Sequence, residues 1–146
     1  VDKKYITKNY KQTQKLGEKF AKEILKFPPQ KSAIVLALCG NLGGGKTTFL
    51  QGFAKGLGIK EKILSPTFVI QKRFKFKNGN FYHIDCYRLK DSKEILELDF
   101  KKLILNPENI IAIEWPEKIK KLLPKNTIFI DFKFVDENKR SILIKP

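Results

Sequence analysis

At 146 residues the chain has room for one domain with a core of its own and too little for two ordinary ones. Its 42% hydrophobic share argues against disorder, its longest apolar run (Ala33 to Cys39) falls far short of a membrane span, and Cys39 and Cys86 are too far apart for a CxxC metal or redox motif. The net charge of +15 suggests nucleic acid, but 27 of the 30 basic residues are lysines distributed along the chain and only Arg73, Arg88 and Arg140 are arginines, so compositional bias is the simpler reading. These features, with no charged-then-apolar leader at the start, predict a soluble, cytoplasmic protein without a membrane partner.

Leu16, Phe20 and Ile24 recur at i, i+4 and i+8, which predicts an amphipathic helix over about residues 12 to 26. Pro28-Pro29 stops it. Ala33 to Cys39 is apolar without alternation, the pattern of a strand buried on both faces. Phe49, Leu50, Phe53, Ala54 and Leu57 then lie at helical spacing, with Gly58 as a natural stop. Two further strands, 68–76 and 80–87, flank Lys77-Asn78-Gly79, a hairpin signal.

Ser92 is a candidate cap for a short helix reaching Leu98. Ile110 to Ile113 is a second fully apolar strand, followed by Glu114-Trp115-Pro116 and a short helix over about 116–123. The tail alternates as two strands, 127–135 and 140–145, around Asp136 to Lys139. No linker or repeat divides the chain. The predicted architecture is α/β: one domain over residues 1–146, P-loop NTPase-like by its glycine-rich segment Gly40 to Thr47 between strand and helix, a three-layer sandwich whose mixed sheet has a parallel core and antiparallel hairpins.

Gly40-Asn41-Leu42-Gly43-Gly44-Gly45-Lys46-Thr47 matches G-x-x-x-x-G-K-[ST]. Glycines let the backbone turn its N–H groups inward around an anion, and the following helix adds its positive dipole end. Lys46 supplies a point charge to β- and γ-phosphates, and the Thr47 hydroxyl is placed to ligate Mg²⁺. From the Gly, Lys and Ser/Thr usage of this chain, an accidental match has a chance of roughly 0.7%, against background usage of similar order. The match also lies between a buried strand and an amphipathic helix, where the chemistry needs it.

A P-loop requires a carboxylate for the metal at the end of a neighbouring strand. Glu114 and Asp85 both occupy such positions, and spacing does not decide which touches Mg²⁺ and which orients the attacking water. His83, the only histidine, shares a strand face with Asp85 and is read as a hydrogen-bonding group that orients it, with a catalytic role as the weaker alternative. Trp115 either packs in the core or stacks near the nucleotide. No [NT]KxD or DxxG motif occurs, which favours ATP over GTP. A small-metabolite kinase is the rival enzyme, weakened by the scarcity of arginines for a phosphate lid, and Arg88 is a candidate charge stabiliser. A third reading is a lysine-rich module that binds RNA directly.

Five segments together resemble the TsaE (YjeE) family. They are Thr13-x-x-Leu16-Gly17, Gly40 to Thr48, Ser65-Pro66-Thr67-Phe68, His83 to Leu89 and Glu114-Trp115-Pro116-Glu117, and they span nearly the whole chain. The resemblance implies an Mg-dependent ATPase, weak alone, that acts with TsaD and TsaB in making N6-threonylcarbamoyladenosine at adenosine 37 of tRNAs reading ANN codons. tRNA is then an indirect partner, and ATP or ADP with Mg²⁺ the bound cofactors.

On that template Asn41, Leu42, Gly43, Gly44, Gly45, Lys46, Thr47 and Thr48 hold phosphate, while Tyr10, Thr13 and Trp115 border the nucleotide. Thr47 and Glu114 hold the metal, Asp85 is needed for hydrolysis and can share the metal, and Ser65-Pro66-Thr67 is a nucleotide-sensing switch with Thr67 in a catalytic role beside Lys46. The family usually carries Asp where this chain has Asn41, which keeps an acceptor oxygen and loses a charge.

Overall fold

The protein is described as a computed structural model for residues 1–41, 45–64, 71–87 and 93–146, with the backbone alone over 93–98. Leu42, Gly43, Gly44, Ser65, Pro66, Thr67, Arg88 and the expected cap Ser92 lie outside the described residues.

Among the described residues seven strands form one sheet: β1 (Lys3–Thr7), β2 (Ile34–Cys39), β3 (Gln71–Phe76), β4 (Gly79–Asp85), β5 (Asn109–Glu114), β6 (Ile128–Phe134) and β7 (Arg140–Lys145). Their order is β1-β7-β6-β2-β5-β4-β3. The centre is parallel (β6, β2, β5, β4), while β3 is added to one end and β7 and β1 to the other as antiparallel strands. The mixed α/β sheet expected from the apolar runs is therefore present.

Alternation sorts the central strands onto two cores. Leu36, Leu38, Phe81, Ile110, Ala112, Ile130 and Phe132 face the helices α1 (Tyr10–Leu25) and α2 (Lys46–Gly56). Val35, Ile84, Ile111 and Ile113 face the other way, toward α3 (Lys93–Ile104) and the 3₁₀ segment Pro116–Leu122. Helices on both faces are what buried parallel strands require. The predicted helix ending at Leu98 runs on to Ile104, because Phe100 and the partly buried Leu103 and Ile104 continue the apolar stripe.

Helix α1 begins where Asn9 caps it, its side chain accepting from the Gln12 N–H at 2.9 Å. It crosses α2 at backbone contact. A Cβ on Gly52 would meet the Gln14 carbonyl oxygen at 1.8 Å, and one on Gly17 would meet that of Phe49 at 2.1 Å. This close crossing draws the start of α1 against the start of α2, and with it the loop that α2 follows.

Strand β1 was not expected. Lys3, Lys4 and Tyr5 carry no clean alternation, and the strand exists through its pairing with β7. A short, lysine-bearing edge is also how sheets avoid pairing with further chains.

Candidate functional site

The β2–α2 connection is shaped at both ends by glycine. Gly40 has φ +136°, and a Cβ there would meet the Phe132 carbonyl oxygen of β6 at 2.4 Å, so neither conformation nor space admits a side chain. Gly45 has φ +97° and opens α2, with the Phe49 N–H donating to its carbonyl at 2.9 Å. The N–H groups of the first turn of a helix have no partner inside it, so the α2 start offers donors and a positive dipole end toward the loop.

Lys46, the first residue of α2, is buried, only 5% exposed. Its ammonium donates to the Gly40 carbonyl at 2.7 Å and lies 4.0 Å from the centre of the Trp115 ring. Burial pushes the ammonium below its ordinary range, against the pull of the Glu114, Glu117 and Asp85 carboxylates. Thr47 and Thr48 follow, half-buried, and Asn41 is exposed at the start of the loop.

The two candidate carboxylates end neighbouring parallel strands and are register partners, Asp85 opposite Glu114, with Leu38 of β2 opposite Glu114 on the other side. All three strand ends thus lie at the edge of the sheet where β2 leads into Gly40. Glu114 is buried and accepts a hydrogen bond from His83 Nε2 at 2.6 Å. This corrects the expectation that His83 orients Asp85. The i, i+2 rule puts His83 and Asp85 on one face, but the cross-strand neighbour on β5 is closer in reach than the next residue along β4. Asp85 instead accepts from the Tyr87 N–H at 2.9 Å. Burial raises its carboxyl above the usual range and the Glu114 charge adds to this, while the Tyr87 N–H and Lys46 oppose.

Of the two roles that the sequence left open for Trp115, core packing is the one the structure shows. The residue has φ +58°, a left-handed conformation that ends β5, so its ring does not continue the strand alternation. It packs partly buried against the α3-side core, lies beside Lys46 and sits 5.0 Å from the Tyr87 ring.

The expected nucleotide border divides. Tyr10 is exposed at the start of α1. Thr13 is buried, its hydroxyl 2.7 Å from that of Thr7 and within 3.4 Å of the Asn9 carbonyl, and its methyl lies 3.6 Å from where a Gly45 Cβ would stand. Thr13 therefore buttresses Gly45 with a methyl while its polar atom is engaged elsewhere.

Two residues were missed. Arg140, at the start of β7, lies with its Cγ 3.5 Å from the same Gly45 position, and its guanidinium stands 4.7 Å from the Phe134 ring. Its Nη1 donates to the carbonyls of Asp136 and Lys139 at 2.7 and 2.9 Å, which fixes the fork. Phe134 is 60% exposed beneath it. The signal in the sequence was an isolated Phe and Arg on either side of a turn, which becomes a shelf only when β6 and β7 pair.

Cys39 lies one residue before the loop, lining a cavity of about 500 Å³ with Asn41, Asp131 and Phe134 among others. Burial, with Glu117 and Asp131 nearby, pushes its thiol from an ordinary 9.0 up to about 11. Since the thiolate is the nucleophile, that shift lowers its population near neutral pH about 100-fold. Alkylation by iodoacetamide at pH 8, followed by mass spectrometry, is expected to modify Cys39 about two orders of magnitude more slowly than in denaturant. Rates within a few-fold of each other would contradict this environment.

Among the described residues no three His, Cys, Asp or Glu side chains form a metal cluster. The donors Thr47, Asp85 and Glu114 nonetheless suit Mg²⁺, which is commonly held by one or two carboxylates together with substrate phosphates and water. No helix among the described residues is long and apolar enough to cross a membrane.

Residues 7–142 match the model of the family described as threonylcarbamoyl adenosine biosynthesis protein TsaE. The tRNA threonylcarbamoyladenosine biosynthesis protein TsaE of Haemophilus influenzae is 34% identical over 130 residues, covering 89% of this chain and 81% of that protein. The protein of the same name from Rickettsia typhi is 38% identical over 136 residues, covering 92% and 89%. The crystal structure of Bacillus subtilis YdiB superposes with a TM-score of 0.76 at 29% identity, covering 99% of this chain and 84% of that one.

Proposed function

The chain belongs to the TsaE family, and from that premise we propose that it binds and hydrolyses Mg-ATP in the threonylcarbamoyl modification of tRNA adenosine 37, as a cytoplasmic subunit acting with TsaD and TsaB. The observation that carries the nucleotide chemistry is the convergence on one loop of a buried lysine at a helix start and two carboxylates in register at adjacent strand ends. Such a site concentrates positive charge where phosphates would lie and negative charge where their metal would lie.

In this reading the N–H groups of the loop and of the first turn of α2 receive the phosphate oxygens, from Asn41 through Thr48. Lys46 exchanges its bond to the Gly40 carbonyl for the β- and γ-phosphates. Thr47 and Glu114 would hold the metal, with Asp85 either sharing it or receiving the proton of the attacking water. Mg²⁺, when bound, neutralises charge on the phosphate oxygens. His83 keeps the Glu114 carboxylate in place, and Trp115, with Tyr87 packed beside it, shields the lysine from water. Thr67 and its neighbours are assigned the nucleotide-sensing switch. Asn41, in place of the family Asp, removes one charge near the water and makes turnover more dependent on partners.

The deciding experiment is ADP formation measured with and without TsaB and TsaD from the same source. Strong stimulation by the partners is expected. Turnover that needs a metabolite acceptor and ignores those proteins would make the chain a small-molecule kinase instead.

The Arg140–Phe134 shelf beside Gly45 is assigned to the nucleoside side of the site. Arg140→Ala is expected to weaken ATP binding about 2- to 5-fold, of the order of one exposed cation–π contact, while leaving tripolyphosphate binding unchanged. Titration calorimetry with both ligands checks this; equal losses would move Arg140 to the phosphates.

A further inference from the structure

The lysines that look dispersed in the sequence are ordered on α1. Lys11, Lys15, Lys19 and Lys22, with Lys26 at the C-cap, follow one another at steps of four, four, three and four residues, and all five are exposed. At about 100° per residue they occupy one arc roughly 80° wide, and no other residue of the helix falls within that arc. The buried face, formed by Thr13, Gly17, Phe20, Ala21 and Ile24, lies diametrically opposite. The row is about 22 Å long at 1.5 Å per residue, and Lys8 extends it toward the start of the helix. Glu18 and Glu23 are the only acids on α1 and flank the arc. Glu18 reaches Lys22 at 3.4 Å, an exposed i, i+4 pair too weak to remove that charge from competition by a polyanion.

We propose that this row is a contact surface for the phosphate backbone of an RNA. Charge complementarity selects the occupant. Nucleic-acid backbones carry closely spaced phosphates, about one charge per 1.7 Å of axis in duplex DNA, so a row of cations on a rigid helix meets several of them along a strand or across a groove. A protein partner is the poorer fit, because protein interfaces deplete lysine at their centres and enrich aromatic residues, and this arc contains neither aromatic nor aliphatic side chains. Lysine neutralises phosphate as a point charge without the bidentate geometry that reads bases, so the surface holds backbone and leaves sequence unread. The row lies across α1 from the face that supports Gly45, so RNA and nucleotide could be held together without sharing side chains.

The test follows fluorescence anisotropy of an end-labelled, unmodified tRNA transcript with the whole chain, at KCl from about 50 to 200 mM. Five phosphate contacts predict a slope of log K against log[salt] of about −3.5 to −4.5. Lys15→Gln, Lys19→Gln and Lys26→Gln together are expected to flatten that slope by about 2 to 3 and to weaken binding more than tenfold at the middle of that salt range. A control triple on other exposed lysines, Lys101→Gln, Lys102→Gln and Lys125→Gln, makes the same charge change and is expected to leave the slope near that of the parent. ATP binding by both triples, measured alongside, reports that each is folded. Equal losses in the two triples would reduce the effect to net charge and overturn the proposal. So would absence of parent binding at the lowest salt, or a row-specific loss seen with polyglutamate and not with the transcript, which would indicate an acidic protein partner.

Discussion

Lys46→Ala is expected to lower ATP and ADP affinity by about 10² to 10³, the usual cost of truncating one partner of a desolvated, charge-assisted contact. The size follows from where the ammonium is held. It is buried at the start of α2, bonded to the loop's own Gly40 carbonyl and enclosed by Trp115, so water does not compete for it as it would at a surface. The fold should survive, because the apolar anchors of α2 (Phe49, Leu50 and Phe53) are fully buried and untouched. Titration calorimetry with ATP, beside a far-UV circular dichroism spectrum matching the parent, checks both statements. Lys46→Arg is expected to recover little, since a planar fork does not fit a cavity closed by a carbonyl and an indole. Undiminished ATP affinity in Lys46→Ala would separate the loop from phosphate binding altogether.

The parts of this site that were legible in the sequence are those written in local pattern. A seven-residue apolar run, a glycine-rich loop and a helical apolar stripe specify β2, the loop and α2 in succession, and Ile110 to Glu114 specifies the neighbouring strand with its terminal acid. The parts that were not legible depend on which strands become neighbours. His83 was assigned to Asp85 by counting along β4, whereas the parallel β5 brings Glu114 within 2.6 Å. Trp115 could not be aimed, because its left-handed backbone is imposed by the end of the strand and not by its own preference. Arg140 and Phe134 meet only through β6–β7 pairing. The lysines of α1 illustrate a different failure: their spacing was helical all along, but a count along the chain treats angular order as dispersion.

The His83–Glu114 pair leads to the second large effect. Glu114→Gln keeps the size of the side chain and an oxygen to accept from His83 but removes the charge, so its consequence should be confined to metal and turnover. We expect ATP hydrolysis to fall by about 10² to 10³ and the Mg²⁺ concentration for half-maximal rate to rise, while metal-free ADP binding stays within about two-fold. His83→Leu acts through Glu114 and differs in kind. It leaves a buried carboxylate without its donor, which costs about 1 to 3 kcal/mol of stability, and it should raise the Mg²⁺ requirement without abolishing turnover. His83→Gln, which restores an N–H donor, should recover part of both losses. In the double variant the His83→Leu stability cost should shrink, since an amide in place of a carboxylate no longer leaves a buried charge unpaired. Thermal unfolding of the four proteins of that cycle, read beside their Mg²⁺ titrations, tests the pairing and the metal role separately. Full Mg-dependent turnover in Glu114→Gln would shift the metal assignment to Asp85, and strictly additive stability losses would reduce the histidine to a packing residue.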